Sequence, residues 1–503
     1  MLKKIATYGF LALFLATMLW VSTAAWLGVS QPAGNVLLVA VLLCAFFVAL
    51  YRFVLQRADA LSPRKQQLTV GILLLLFVAI ATVLGCLTMT YPVSDLEVLC
   101  DAVTYWVQKG NLLRYSYYFN VCANTLGNCI FLYCIFKPLS YVGLFMGDDA
   151  AECIAIFVNV LMLALALFLL YRITTRLLPK FSAQLLFLLL SLSFAPYYLW
   201  AHRYYSDTLS MPFAPLAIWL YLRSSETEHR AKQIGYGFAA GLCLWVGYFI
   251  KGSVLIALPA LLIFAVFALP WKKCLLFCLP LLIGLCLCFG VWEVYRHNNN
   301  WISYNSEAKY KYPATMWLLY GAHGDGNYND DDVNYLASFS TYAERSVAAK
   351  ERLAEYYSVY TPASYLSFLT TKFTATWSGA QYDAEGYLTA SRHGNWTHYF
   401  IMEGQPYYAL TQYYCNGWHY AFLAMLLLST AAALYRPRWD AGFLLRICLF
   451  GLTLFLCFWE TKPRYLLSFA PFFPLFFAQG VLCLNAGLAK GLQWAKQRKR
   501  LQK

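Results

Sequence analysis

The chain has 503 residues, of which 61% are hydrophobic and only 12% are charged. About a quarter of the residues of a soluble domain are charged, so this composition excludes a soluble enzyme and indicates a polytopic membrane protein. The formal net charge is +14, but the basic residues lie where membrane topology requires them, so we expect no nucleic-acid partner.

About twelve apolar segments have the length and composition of transmembrane helices. They lie at 5–27, 35–56, 69–90, 150–171, 182–200, 208–222, 234–250, 252–270, 274–294, 416–435, 441–459 and 465–487. Lysine and arginine are concentrated in alternate connections, which marks those connections as cytoplasmic. We therefore expect a multi-pass protein of the cytoplasmic membrane with both termini in the cytoplasm and the basic tail against anionic membrane lipids.

Two connections on the opposite, extracytoplasmic side are long. The first, 91–149, contains an apolar stretch at 125–145 that Lys137 and Pro138 interrupt. A crossing there would invert the charge pattern of every later connection, so we expect in-plane helices in this loop. The second, 293–415, is less hydrophobic and predicts a small extracytoplasmic domain before the last three spans.

The predicted fold class is thus an all-α polytopic bundle. A transmembrane bundle with the catalytic outer loop 91–149 occupies 1–292. An extracytoplasmic loop domain follows at 293–415, and C-terminal helices with a basic tail occupy 416–503. The arms 234–250 and 252–270 are short, which leaves a re-entrant pair as the alternative to two spans.

Acidic residues begin the first outer loop, where the third apolar segment ends. Asp95, Glu97 and Asp101 lie in YPVSDLEVLCDAVTYWVQKGN at 91–111, where apolar residues recur at helical spacing. The pattern predicts a helix along the membrane surface with an acidic first turn. Because a carboxylate at this position is costly to desolvate, we expect Asp95 to be a catalytic base supported by Glu97. The alternative is an acidic cap on a solvated helix.

Further charged residues interrupt the apolar pattern on the same side of the membrane. In HRYYSDT at 202–208, Asp207 is a candidate second carboxylate, and Arg203 or His202 is expected to face an anionic group. The alternative is an ion pair between Arg203 and Asp207. Lys251, in GYFIKGS, lies between two apolar arms, where it either reaches the interface or binds a phosphate.

The last such group, ETKPRY at 460–465, precedes the final apolar segment. Arg464 offers a planar fork suited to phosphate, with Tyr465 beside it; the alternative is an ion pair of Glu460 with Arg464. Cations and carboxylates at one membrane depth suit an amphiphilic anion such as a lipid phosphate. A base nearby would take the proton of an acceptor hydroxyl, while Lys251 or Arg464 would stabilise the released phosphate.

The late loop carries the acidic run Asp330–Asp332. Its spacing differs from that of an EF-hand loop, so a solvated acidic turn is the favoured interpretation and a divalent cation the alternative. No spacing of cysteine and histidine predicts a metal site, and no cofactor is indicated. One disulfide is left open among the cysteines of the outer side, Cys100, Cys122, Cys129 and Cys415.

An ordered series of blocks extends from 94 to 475. The blocks are SDLEVLCDAVTYWVQKGN at 94–111, NTLGNCIFLYCIFK at 124–137, YYSDTLSMPF at 204–213, GYFIKGSV at 247–254, MWLLYGAHGDGNYNDDD at 316–332, KFTATWSGAQY at 372–382 and PRYLLSFAPFFPL at 463–475. This series resembles the GT-C fold membrane glycosyltransferases, which include protein O-mannosyltransferases and the aminoarabinose transferases of lipid A. It is most similar to the bacterial cell-envelope members of glycosyltransferase family 39.

The resemblance implies a GT-C bundle, a polyprenyl-phosphate sugar as donor, inversion at the anomeric carbon and a first-loop acid as base, which corresponds to Asp95. The charged residue at the start of the last span corresponds to Arg464. The mannosyltransferases often have adjacent Asp and Glu in this loop, whereas Leu96 separates Asp95 from Glu97 here. Both named relatives work without a catalytic metal, while oligosaccharyl transferases of the same fold need one.

The sequence therefore predicts a glycosyltransferase that moves a sugar from polyprenyl phosphate to an acceptor outside the cytoplasmic membrane. We expect the acceptor to be a cell-envelope glycan, a lipid or a protein. The alternatives are a transporter or flippase of lipid-linked sugars, and a surface-glycan polymerase or ligase. Transporters are often built from internal repeats with binding sites at the midplane, whereas this sequence has no repeat and carries its charges at the outer interface.

Overall fold

A computed structural model describes residues 2–299, 301–302, 310–388 and 392–501. The regular secondary structure of these residues is helical, and they contain no β-strand. The first half contains α1 (Leu2–Leu27), α2 (Ala33–Phe53), α3 (Pro63–Leu87), α4 (Asp95–Lys109), α5 (Ser116–Val121), α6 (Leu126–Ser140), α7 (Asp149–Leu177), α8 (Phe181–Leu192), α9 (Pro196–Leu199), α10 (Ser206–Leu209) and α11 (Phe213–Glu226). The second half contains α12 (Arg230–Ile250), α13 (Ala257–Ala268), α14 (Trp271–Asn298), α15 (Thr315–Tyr320), α16 (Asp330–Ala337), α17 (Tyr342–Ser358), α18 (Pro362–Trp377), α19 (His398–Ile401), α20 (Tyr408–Tyr435), α21 (Ala441–Phe458) and α22 (Phe473–Leu501).

Nine helices of the described residues are long and apolar enough to cross a membrane. They are α1, α2 with the turn after it, α3, α7, α12, α14, α20, α21 and the segment Pro463–Lys490 that runs into α22. The all-α bundle expected from the sequence is therefore confirmed, whereas the expected count of about twelve spans is not.

Short helices account for the difference between nine and twelve. In the predicted span 182–200 the helix ends at Leu192. In the predicted span 208–222 the long helix begins only after Pro212. The segment 252–270 opens as the 3-10 turn Gly252–Ile256 before α13. The longest of these three helices has 14 residues, which is about 21 Å of helix against a hydrocarbon core of about 30 Å.

The first outer loop contains the helix predicted from Asp95 onward. It is α4, and Gly110 closes it in the left-handed conformation, at φ 75°, that only glycine adopts freely. The segments Leu113–Val121 and Ala123–Ser140 then meet at an angle of 111°. As a single broken span they would be a tenth crossing, so the in-plane orientation of this loop stays a prediction.

The second outer loop packs around its own apolar cluster, formed by Tyr312, Met316, Leu319, Tyr320, Leu336, Ala348 and Ala349. Helix α17 is the longest helix of this loop, with 17 residues. It begins with a capping box, in which the Thr341 hydroxyl accepts the Glu344 backbone N–H and the Glu344 carboxylate accepts the Thr341 N–H.

Asp332 corrects the expectation of a solvated acidic turn. Its side chain is fully buried, and one carboxylate oxygen lies 2.8 Å from the donors of both Arg352 and Tyr356. The other oxygen lies 2.8 Å from His323 Nε2. Burial raises the pKa of Asp332, but the hydrogen bonds of His323 and Tyr356 outweigh it and hold that pKa below its ordinary value. The Asp332 carboxylate therefore connects the first turn of α16 to α17.

The cysteines of the chain are free thiols, including the four that the sequence left open to a disulfide. Cys100, Cys129 and Cys415 are buried. They contribute as small apolar side chains to the packing of the bundle.

Helices α12 and α14 pack with their backbones in contact. A Cβ atom at Gly241 would lie 2.2 Å from the carbonyl oxygen of Leu281, and one at Gly237 would lie 2.4 Å from that of Phe277. Small residues at such positions let membrane helices approach closely. This contact holds α12, the helix that Lys251 follows, against α14.

We expect Gly241→Ala to lower the free energy of unfolding by about 1–3 kcal/mol, because the added methyl group collides with backbone rather than with a movable side chain. Gly235→Ala is the matched control, since it lies on the same helix with no atom within 4 Å of the added Cβ. Thermal unfolding in one detergent measures both variants. Equal melting temperatures for the two would contradict the close approach of α12 and α14.

Candidate functional site

Charged residues from three distant parts of the chain meet around Asp207. Asp207 lies in α10 and is fully buried. Lys251, at the end of α12, donates a hydrogen bond from Nζ to Asp207 Oδ1. Arg464, in the 3-10 turn Pro463–Phe472, places Nη1 3.9 Å from Asp207 Oδ2. The side chains of Lys251 and Arg464 are each only 12% exposed, so both cations are held away from bulk solvent.

Neither of the two alternative ion pairs forms among the described residues. Arg203 makes no ion pair with Asp207, whose partners are Lys251 and Arg464. Glu460 makes none with Arg464; it lies 3.8 Å from Lys462 Nζ and accepts a 2.8 Å hydrogen bond from the Tyr465 hydroxyl.

Two arginines lie against tyrosine rings beside Asp207. The Arg203 Cζ atom is 3.7 Å from the ring centre of Tyr387 and 5.3 Å from that of Tyr205. The Arg464 Cζ atom is 5.8 Å from the ring centres of both tyrosines. We call Arg203, Arg464, Tyr205 and Tyr387 the arginine–tyrosine cluster. Ring faces attract the cations without satisfying their N–H groups.

Both arginines of this cluster have an N–H donor without an acceptor among the described residues. A guanidinium offers five of them, yet the Arg203 side chain makes one hydrogen bond, of 3.4 Å, to the Val93 carbonyl oxygen. Its Nε is buried without a partner, and so is the Nε of Arg464. Arg203 is only 2% exposed. Buried charges of this kind are normally fully hydrogen-bonded, so these donors are free to bind an anionic ligand.

Asp95 joins this cluster through Tyr205. The Tyr205 hydroxyl donates to Asp95 Oδ2 at 3.2 Å, and the Tyr118 hydroxyl donates to Oδ1 at 2.9 Å. The residue before Asp95, Ser94, has φ 56°, which a residue with a side chain rarely adopts. Strained backbone of this kind persists only where the surrounding structure imposes it.

Glu97 and His202 lie apart from these contacts. Glu97 is exposed on α4, and its carboxylate contacts no described residue as an ion pair or hydrogen bond. His202 is buried, and burial together with the charge of Arg203 lowers its pKa to about 3. The imidazole is therefore neutral at pH 7 and supplies no positive charge to an anion.

Asp383, a carboxylate that no sequence pattern singles out, also reaches the cluster. Its Oδ2 accepts the backbone N–H of Arg464 at 3.4 Å. Burial raises the pKa of Asp383, and the N–H and guanidinium of Arg464 oppose that rise. Among 39 tyrosines, nothing in the sequence marked Tyr118, Tyr205 and Tyr387 as partners. The only local signal for Asp383 was its place in the turn-forming sequence SGAQYDAEG.

A metal centre does not appear among the residues that the structure describes, where no group of three or more His, Cys, Asp or Glu side chains is placed to hold an ion. The acids of the site lie instead beside cations, as in the contacts of Asp207 with Lys251 and Arg464. The described site therefore presents arginine, lysine and tyrosine donors to an anion.

Comparison with known proteins gives a match along almost the whole chain. A family model described as a conserved hypothetical integral membrane protein matches residues 2–484. This match includes α4, the Asp207 turn, Lys251 and Arg464, so every element of the candidate site lies within it. No curated protein matches the chain.

Proposed function

The chain belongs to this family of conserved hypothetical integral membrane proteins, and we propose that it is a glycosyltransferase using a polyprenyl-phosphate sugar as donor. The acceptor is a cell-envelope glycan, a lipid or a protein outside the cytoplasmic membrane. The family description names no activity, so the proposal rests on the site and on the resemblance to GT-C enzymes.

One observation carries the proposal. Arg203 and Arg464 each have a buried Nε without a partner among the described residues, and Tyr205 links their cluster to the Asp95 carboxylate, which two tyrosine hydroxyls hold in place. Guanidiniums bind phosphate oxygens through parallel hydrogen bonds, and a half-buried carboxylate in the same site suits a general base. Transfer of a sugar from a lipid phosphate requires phosphate recognition and proton removal in one site, and this site lies at the end of apolar helices.

The proposed reaction is a single displacement. The acceptor hydroxyl oxygen forms a bond to the anomeric carbon while the bond from that carbon to the phosphate oxygen breaks, which inverts the anomeric centre. The hydroxyl proton passes to Asp95, and the bonding electron pair leaves with the phosphate as polyprenyl phosphate. Arg203 and Arg464 stabilise the negative charge that develops on the leaving oxygen.

Asp207 and Lys251 have a supporting role in this proposal. Their hydrogen-bonded contact fixes the Asp207 carboxylate, whose second oxygen lies 3.9 Å from Arg464. Asp207 thereby orients Arg464, and the Lys251 ammonium, 5.1 Å from the Tyr465 ring centre, adds positive charge beside the phosphate. Tyr465 supports both cations through its ring, because its hydroxyl already donates to Glu460.

Purified protein in liposomes tests the proposal. With a fluorescent polyprenyl-phosphate sugar and a cell-envelope acceptor fraction, we expect release of free polyprenyl phosphate together with sugar on the acceptor. Movement of the intact sugar lipid between leaflets without cleavage would identify a transporter instead. Neither cleavage nor movement, across a panel of hexosyl and pentosyl donors, would remove the proposal.

A further inference from the structure

The turn at Tyr382 and Asp383 has backbone torsion angles that residues with a side chain rarely adopt. Both residues have positive φ, of 56° and 63°, although neither is glycine. Consecutive residues in this region are unfavourable unless the surroundings impose them. Within the site region, Ser94, next to Asp95, shares this property, so backbone strain occurs next to both carboxylates that reach the arginine–tyrosine cluster.

Contacts on either side of Asp383 hold the turn. The Tyr382 side chain is fully buried, and its hydroxyl lies 2.9 Å from His419 Nδ1 in α20. On the other side, Tyr387 lies against the Arg203 guanidinium. The turn is therefore fixed to the bundle and to the cluster at once, and the Asp383 carboxylate has a defined position between them.

The Asp383 carboxylate is under-coordinated in that position. Within the described part of the chain it forms no ion pair, and it accepts one hydrogen bond there, the 3.4 Å contact of Oδ2 with the Arg464 N–H. A carboxylate of this kind normally accepts several hydrogen bonds. Burial raises the pKa of this carboxylate, and the backbone N–H and guanidinium of Arg464 oppose that rise.

We propose that Asp383 binds hydroxyl groups of the donor sugar, next to the phosphate that the two arginines bind. A negative carboxylate repels a phosphate, so its ligand must bring hydrogen-bond donors, and sugar hydroxyls supply them. The sugar is bonded directly to the phosphate, so it reaches a residue whose carboxylate touches the Arg464 backbone. This inference rests on the proposed function and assigns the sugar subsite to Asp383.

Asp383→Asn isolates the charge of the carboxylate. Asparagine adopts positive φ readily and keeps an oxygen for the Arg464 N–H. We expect kcat/KM for the sugar donor to fall about 10- to 100-fold, as the loss of charge-assisted hydrogen bonds predicts. The affinity for polyprenyl phosphate without sugar should stay within about twofold of the wild type. Asp331→Asn, at an exposed acid of the same outer domain, is the matched control.

Asp383→Gly is the second variant, because glycine accepts φ 63° without strain and removes the carboxylate entirely. It should reproduce the loss for the sugar donor and again spare polyprenyl phosphate. Size-exclusion chromatography and melting temperature establish that each variant is folded. If one variant does not fold, the other decides the matter.

The outcomes separate this inference from the proposed function. Unchanged kcat/KM in folded variants, with an active wild-type protein, overturns the role of Asp383 alone. Equal weakening of sugar donor and polyprenyl phosphate also overturns it, because that result shows a structural effect on the arginine pair. A wild-type protein that binds neither compound overturns the proposed function itself.

Discussion

Replacing Asp95 with asparagine is expected to lower the transfer rate about 10²–10⁴-fold while leaving donor binding intact. That range is the usual contribution of a general base. Asparagine keeps one oxygen for a tyrosine hydroxyl, and its amide group can donate to the other hydroxyl, which rotates to accept. The contacts with Tyr118 and Tyr205 therefore survive, and the melting temperature should change little. Single-turnover transfer at saturating donor measures the effect.

Two acids on the same helix serve as controls for Asp95. Asp101→Asn removes an exposed carboxylate of α4, and Glu97→Gln removes the carboxylate that the sequence placed in a supporting catalytic role. We expect both variants to keep transfer within about threefold of the wild type, since surface substitutions rarely disturb a site. If Asp95→Asn also keeps its activity, or if Glu97→Gln loses it, the base has been assigned to the wrong residue.

The second large effect is expected from Arg464→Met. Methionine keeps much of the apolar stem but removes the fork, so the dissociation constant for polyprenyl phosphate should rise about 10- to 100-fold. The turnover number should fall as well, because the charge on the leaving oxygen develops in the transition state. Asp207 keeps its contact with Lys251 in this variant, so the buried carboxylate is not left unpaired. Binding titration with polyprenyl phosphate and a kcat measurement separate the two effects.

Lys462→Met is the matched control, since it removes a half-buried cation two residues upstream that contacts Glu460 rather than the cluster. It should leave the dissociation constant unchanged. Arg464→Lys keeps the charge without the fork and should recover only part of the affinity. Donor affinity unaltered in Arg464→Met would place the phosphate elsewhere.

The sequence predicted the parts of the fold that composition determines. Apolar runs of about 20 residues gave the long spans, and the helix from Asp95 followed from helical periodicity. The sequence-based count of spans was too high because mean hydropathy averages over breaks in a helix, such as the break at Pro212 before α11. A run of apolar residues shows that a segment is buried in an apolar environment, but not how many of its residues continue one helix.

The candidate site was predicted in its charges but not in its contacts. Lys251, Arg464 and Asp207 were conspicuous because charges are rare in apolar surroundings. The partner of Asp207 was not predictable, because Arg203 is its neighbour in sequence while Lys251 and Arg464 reach it only through packing. Tyr205 and Asp383 were missed because tyrosines and loop aspartates are common, and only their contacts in the folded structure distinguish these two from the others.

The residues of the candidate site come from most of the length of the chain, which affects the order in which the site forms during synthesis. They are Asp95, Asp207, Lys251, Asp383 and Arg464. A ribosome releases these residues in order from the N-terminus, and domains generally form as the chain emerges. The arginine–tyrosine cluster therefore stays open until the turn Pro463–Phe472 has been synthesised and its helix integrated. A chain arrested before that point would lack Arg464, so the proposed phosphate site would be completed only at the end of biogenesis.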